Sequence, residues 1–96
     1  MQLEFSPRAL ADLAEIRSYH LDHASEQAAD NVRRYLLRRF DAIAKKPSLG
    51  IASSRDGVRI LNPSKYPYRI YFAVIGAVVI LHVRHTARRL PDVDNL

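Results

Sequence analysis

The sequence predicts an α+β fold of order β-α-α-β-β-β, a helical hairpin packed on one face of a small, mainly antiparallel sheet. Three observations predict it: a short alternating run that enters a Ser-Pro pair, two stretches with apolar residues at helical spacing, and a change of period from about 3.6 to 2 in the second half. At 96 residues the chain has room for one domain, residues 1–96, because a second would leave neither half enough apolar area to offset the entropy of ordering its backbone. Hydrophobic residues make up 48% and charged residues 26%, a balance that suits a packed core and argues against wholesale disorder.

Residues 2–5 (QLEF) alternate polar and apolar and stop at Ser6-Pro7, an N-cap residue followed by proline at the first helical position. In the helix expected over residues 7–22, Ala9, Leu13, Ile16 and His20 form one stripe with Leu10 beside it, while Arg8, Asp12, Glu15 and Asp22 face elsewhere. Ser25 can cap a second helix with Glu26 in its first turn, and Ala28, Val32, Leu36, Phe40 and Ile43 recur at helical spacing until Pro47 and Gly50. So short a link between the helices allows only an antiparallel hairpin. After a loop rich in Ser and Gly (residues 48–57), VRIL (58–61), YRIYFAVI (68–75) and VVILHVR (78–84) read as strands, with Asn62-Pro63-Ser64 and Gly76-Ala77 as turns.

With Gly76-Ala77 as the central pair of a two-residue hairpin turn, Ile75 lies opposite Val78 and a register follows. Tyr68 pairs with His85, Arg69 with Arg84, Tyr71 with His82 and Ala73 with Ile80. Between them Ile70 with Val83, Phe72 with Leu81 and Val74 with Val79 form the face that packs on the helices. The opposite face carries Arg69, Arg84, Tyr71 and His82, and the preceding strand adds Arg59, which alternates away from Val58 and Ile60. Two arginines opposed across strands repel by up to about 1 kcal/mol, and no nearby acid in this segment offsets it. Such a face suits an anionic partner; the plainer alternative is that the arginines splay into solvent while their stems cover apolar surface.

The net charge of +5 is unevenly placed, since residues 55–90 hold seven Lys/Arg against Asp56 alone. Twelve of the fifteen positive residues are arginine, whose planar fork suits carboxylate, phosphate and protein-interface contacts. Either an acidic protein or a nucleic acid fits that balance. Direct DNA binding, through the arginines of the second helix (Arg33, Arg34, Arg38, Arg39) or through Arg88 and Arg89, is the binding-module alternative. It is disfavoured because no helix-turn-helix signature occurs and packing explains the tyrosines.

The absence of cysteine removes disulfides, thiol catalysis and cysteine-based zinc sites. The start of the chain has acids and arginines where a signal peptide needs an apolar run, and no stretch is long and apolar enough to span a membrane, so the cytoplasm is the expected location. His20 and His23, like His82 and His85, are three apart, but in a strand such residues point to opposite faces, and the helical pair has only Asp22 or Asp30 for company. No metal is expected. Nor is a cofactor, for the chain has no Gly-rich phosphate loop, nucleophile elbow or zinc-protease motif.

The start LEFSPRALADLAEI, the segment KKPSLG closing the second helix, and then RIL, YPYRIYF, VVILHVRH and ARRLPD in this order resemble the RelE/ParE toxin superfamily, the ParE branch in particular. The resemblance covers nearly the whole chain. It implies a toxin co-produced with a labile, acidic antitoxin, ParD-like and of ribbon-helix-helix type, whose C-terminal segment wraps around the toxin while its N-terminal part dimerises and binds operator DNA. The toxin itself would meet that DNA only through its partner. In ParE-like members the target is DNA gyrase, which is poisoned rather than chemically altered; RelE-like members cut messenger RNA in the ribosome.

Chemistry helps to choose between these targets. Cleaving RNA at its 2′-hydroxyl needs a base, a cation for the scissile phosphate and an acid for the leaving oxygen. RelE-like nucleases resemble one another in placing lysines on the first strand after the helices and a tyrosine or histidine near the C-terminus. Here that strand offers Arg59 and then Leu61, and residues 86–96 contain no tyrosine, histidine or lysine. A nuclease would have to draw on Arg59, Arg69, His85 and Arg88. The expectation is therefore a gyrase-directed binding protein with no catalytic residues, whose antitoxin and target contacts fall among Arg59, Arg69, Tyr71, His82, Arg84, Arg88 and Arg89; the alternative is a ribosome-dependent nuclease.

Overall fold

A computed structural model describes residues 1–62 and 64–87. The elements are β1 (Leu3–Phe5), α1 (Pro7–His23), α2 (Glu26–Lys45), a 3-10 turn (Pro47–Leu49), β2 (Ile51–Ala52), β3 (Val58–Leu61), β4 (Tyr68–Val74) and β5 (Val78–His85). The sheet order is β1-β5-β4-β3-β2, with β1 parallel to β5 and the other pairs antiparallel. Both helices pack on one face, as the period analysis expects. The sequence leaves out β2, two exposed residues within the Ser/Gly loop that extend the sheet beyond β3 and carry too little pattern to read.

Two serines start the helices. Ser6, in extended backbone, accepts the Ala9 N–H at 3.0 Å through its side chain and is followed by Pro7, whose missing N–H costs nothing in a first turn. Ser25 accepts the Ala28 N–H in the same way at 3.0 Å, directly after α1 ends, so the hairpin turns within a residue or two. The apolar stripe of α2 then delivers Val32, Leu36, Phe40 and Ile43 to Leu61, Ile70, Phe72, Val78, Ile80 and Val83 of the sheet. Each such side chain contributes roughly 1.5–3 kcal/mol by leaving water. Phe5 of β1 meets Phe40 edge-on, with ring centroids 5.3 Å apart.

The β4–β5 hairpin departs from the expected register halfway along. Tyr68 with His85, Arg69 with Arg84, Ile70 with Val83 and Tyr71 with His82 pair as expected, but Phe72 then faces Ile80, Ala73 faces Val79 and Val74 faces Val78. The turn holds Ile75, Gly76 and Ala77, not two residues, and Gly76 takes φ +68°, a left-handed conformation open to glycine. The offset this creates is absorbed by a bulge at Leu81, so Ile80 and Val78 occupy the core in place of Leu81 and Val79.

Two further contacts tie loops to the core. The Tyr35 hydroxyl on α2 accepts the Ser64 and Lys65 N–H groups at 3.0 and 3.3 Å, closing the β3–β4 connection. Burial pushes this phenol up, but its hydrogen bonds with Ser64 and Lys65 and the nearby Arg39 together outweigh that and hold it below the usual value of 10.0. At Gly50 the backbone passes so near Phe72 that a Cβ would lie 2.5 Å from Cζ and 2.6 Å from Cε1 of that ring. The φ of Gly50 is −81°, so what excludes a side chain there is space and not conformation.

Gly50→Ala should therefore destabilise the fold by about 1–3 kcal/mol through overpacking. Adding Phe72→Leu, which withdraws the obstructing ring edge, should make the alanine cheaper than it is in the parent. Urea unfolding of both singles and the double measures the coupling.

Candidate functional site

The strand pairing sets Arg69 directly opposite Arg84 on the sheet face turned away from the helices. Asn62, at the end of β3, accepts the Arg69 Nε–H at 2.9 Å and orients that guanidinium. Arg84 has a buried Nε with no hydrogen-bond partner among the described residues. Among the described residues no carboxylate forms an ion pair with either guanidinium, so two like charges stand opposed across the strands.

Three other residues expected on this face are placed differently. Tyr71 and His82 share the face by register but are 1% and 5% exposed, so neither offers a surface to a partner. Their rings stack, with centroids 5.8 Å apart, and His82 Nδ1 lies 2.5 Å from Asp12 Oδ2 on α1. Alternation correctly put them on one side, but it carries no information about what covers that side.

Arg59 lies on the opposite face. Register pairs it with Phe72 and pairs Leu61 with Ile70, so Arg59 stands on the helix side, while Val58 and Ile60 share the outer face with Ala73 and Tyr71. Its guanidinium Nη2 donates to the Gly50 carbonyl. In VRIL both parities contain an apolar residue, and the choice was settled by Leu61 entering the core.

His85 also faces the helix side, opposite Tyr68, with ring centroids 5.6 Å apart. Of the residues a nuclease would need, Arg69 thus lies on one face and Arg59 and His85 on the other, separated by the width of β4. Arg88 and Arg89 lie outside the described residues.

The seam between α1 and β5 holds residues the sequence did not single out. Asp12 Oδ2 accepts the Val83 N–H at 3.0 Å in addition to its contact with His82, and the Ser6 hydroxyl donates to the Leu81 carbonyl at 2.9 Å. Further along, His20 Nε2 and the Tyr68 hydroxyl are hydrogen-bonded at 2.8 Å. Beside these contacts an open groove of about 580 Å³ runs between the helix and the strand, with Arg8, Glu15, Tyr19 and Arg84 on its walls. A carboxylate at position 12, off the apolar stripe, looks like an ordinary solvated residue until β5 is brought alongside. A second, smaller groove of about 230 Å³ lies between the helices, lined by Leu13, Leu36, Leu37 and Phe40 with Arg17 and Arg33 among them.

The side chains of His82 and Asp12 are 6% and 15% exposed, so deleting one partner strands the other. Asp12→Ala should destabilise the chain by about 3 kcal/mol, because it leaves both His82 and the Val83 N–H without an acceptor. Asp12→Asn, which keeps one acceptor oxygen, should cost distinctly less; equilibrium denaturation of the two variants gives the comparison.

Comparison with known proteins can be set on this geometry. Among curated proteins none matches the chain. Among solved structures, a chain of the chromosomal ParDE system of P. aeruginosa superposes with a TM-score of 0.78 at 23% identity, over 88% of this chain and 95% of that one. The isolated E. coli RelE toxin gives 0.57 at 15% identity, over 98% and 90%. An E. coli RelE arginine double mutant in complex with an antitoxin RelBc peptide gives 0.61 at 16%, over 98% and 90%. At these identities the likeness is one of fold. The model of the ParE toxin of type II toxin–antitoxin parDE systems matches residues 3–90, and the chain therefore belongs to the ParE toxin family.

Proposed function

We propose that the protein arrests growth by binding and poisoning DNA gyrase, and that a cognate acidic antitoxin, ParD-like and built on a ribbon-helix-helix, neutralises it by tight binding in the cytoplasm. The observation that carries the gyrase reading is the dispersal of the nuclease candidates: Arg69 stands on one sheet face, Arg59 and His85 on the other. General acid–base cleavage needs its groups within hydrogen-bond reach of one phosphodiester, and a sheet lies between these. A toxin that acts by occupying a protein surface has no such requirement.

The antitoxin reading draws on the family and on charge. The protein carries +5 overall, and the Arg69–Arg84 pair has a repulsion that an acidic segment laid across it would relieve. The solved RelE complex has an antitoxin peptide as its partner, and the same kind of neutralisation is proposed for this chain.

Induction of the protein alone should stop growth of a bacterial host, and co-expression of its acidic partner should restore it. Purified protein with gyrase and plasmid DNA should accumulate cleaved complexes and lose supercoiling, while a translating extract keeps its mRNA intact. Cut message with undisturbed gyrase would instead establish the ribosome-dependent nuclease.

Charge reversal separates the candidate antitoxin contacts. Arg69→Glu with Arg84→Glu should weaken the antitoxin complex by at least tenfold more than Arg33→Glu with Arg34→Glu, as read by titration at fixed salt. Equal losses would move the principal contact to the helical hairpin.

A further inference from the structure

No described element lies on the outer face of the sheet, yet that face is largely buried. Both helices pack on the other side, and the pairing puts Val58, Ile60, Tyr71, Ala73, Val79 and His82 together on this one. Tyr71 is 1% exposed, Val58 5% and Ala73 6%. Neighbouring strands do not account for this. They flank a side chain within the plane of the sheet, and a tyrosine standing off the middle strand of an open face leaves its ring in water. Asp12 of α1 reaches around the β5 edge to His82, but Tyr71 and Ala73 lie one strand further in and Val58 two. The Arg84 Nε, on the same face, is also buried and has no hydrogen-bond partner among the described residues.

The chain continues past the described residues with a sequence suited to cover that face. Residues 88–96 read RRLPDVDNL and begin three positions after His85, the last residue of β5. Fully extended, such a segment spans about 30 Å. The Arg69–Arg84 row and the Ala73–Val79 row are roughly 15 Å apart along the strands, and β5 and β3 about 10 Å apart across them, so the whole face is within its reach. Leu90 and Val93 supply apolar side chains, and Pro91 disfavours a helix at the residue before it.

Charge sets how the segment lies. Its two arginines match its two aspartates, so apolar contact and not net attraction holds it. The Arg69–Arg84 pair repels Arg88 and Arg89, which come first, and attracts Asp92 and Asp94, which come after.

We infer that residues 88–96 fold back over the outer face as a strap, with Leu90 and Val93 on Tyr71 and Ala73 and with Asp92 and Asp94 turned to the Arg69–Arg84 pair. The strap screens these two arginines, so an acidic antitoxin segment laid across them has to displace it; this second part rests on the antitoxin reading above.

NMR spectroscopy of the purified full chain tests the seat of the strap. Nuclear Overhauser contacts should join the Leu90 or Val93 methyl groups to the Tyr71 ring or the Ala73 methyl. Val93→Asp should remove them and raise the binding of an apolar dye, with the helical circular dichroism unchanged. A full chain in which neither Leu90 nor Val93 contacts the outer face overturns the strap.

Titration with the purified acidic partner tests the screening. Asp92→Asn with Asp94→Asn should tighten the complex about threefold. Asp22→Asn with Asp41→Asn, which changes the net charge equally at exposed helix positions, should tighten it less. Equal gains overturn the screening and leave the seat of the strap in place. If no complex forms with any variant, the antitoxin reading fails and the screening with it, while the Overhauser contacts still decide the strap.

Discussion

The fold depends on how its first helix is fastened to its last strand. Ser6 makes four bonds at once: its N–H goes to the Ile80 carbonyl, its hydroxyl to the Leu81 carbonyl, and its hydroxyl and carbonyl oxygens receive the Ala9 and Leu10 N–H groups that start α1. Two successive carbonyls can point the same way only where a strand is bulged, and the bulge of β5 lies at that place. The cap of the helix and the irregularity of the strand are thus one feature seen from two elements. Nearly two turns further along α1, Asp12 holds the next outward N–H and His82, so the helix lies along a sheet edge and not only across a sheet face.

That arrangement explains which parts of the fold were legible. The helices were, because Ser6-Pro7, Ser25 and the stripe through Phe40 are local signals that packing reinforces. The strands other than β2, and half the hairpin register, were legible for the same reason. The other half was not, because Gly76 is compatible with turns of two or three residues, and the choice is compensated at Leu81, whose bulge is recognised by a serine far away in sequence. Nothing within residues 68–85 announces it.

The candidate site was legible in part. Arg69 opposite Arg84 follows from alternation and a turn, and the pairing is as expected. The rest turned on facts alternation does not contain. A period of two assigns residues to a common face without saying which face is inside, and in VRIL one leucine decided it, carrying Arg59 inward to the Gly50 carbonyl. Exposure was the other unknown, since Tyr71 and His82 are polar enough for a surface and are used as buried partners of each other and of Asp12. Asp12 itself was invisible as a functional residue because its partners are supplied by the opposite end of the chain.

The Ser6 hydroxyl and the Leu81 carbonyl are separated by 75 residues, and the parallel β1–β5 pairing spans the same interval. Contacts of such span carry a larger loop-closure cost than those of the helical hairpin or the β3–β4–β5 meander, whose partners are near in sequence. During synthesis, α1 would leave the ribosome well before the strand that completes its cap, and its Asp12 would have no amide to hold. The groove beside α1 does not exist until β5 is in place, so a partner that recognises it distinguishes a finished molecule from a nascent one.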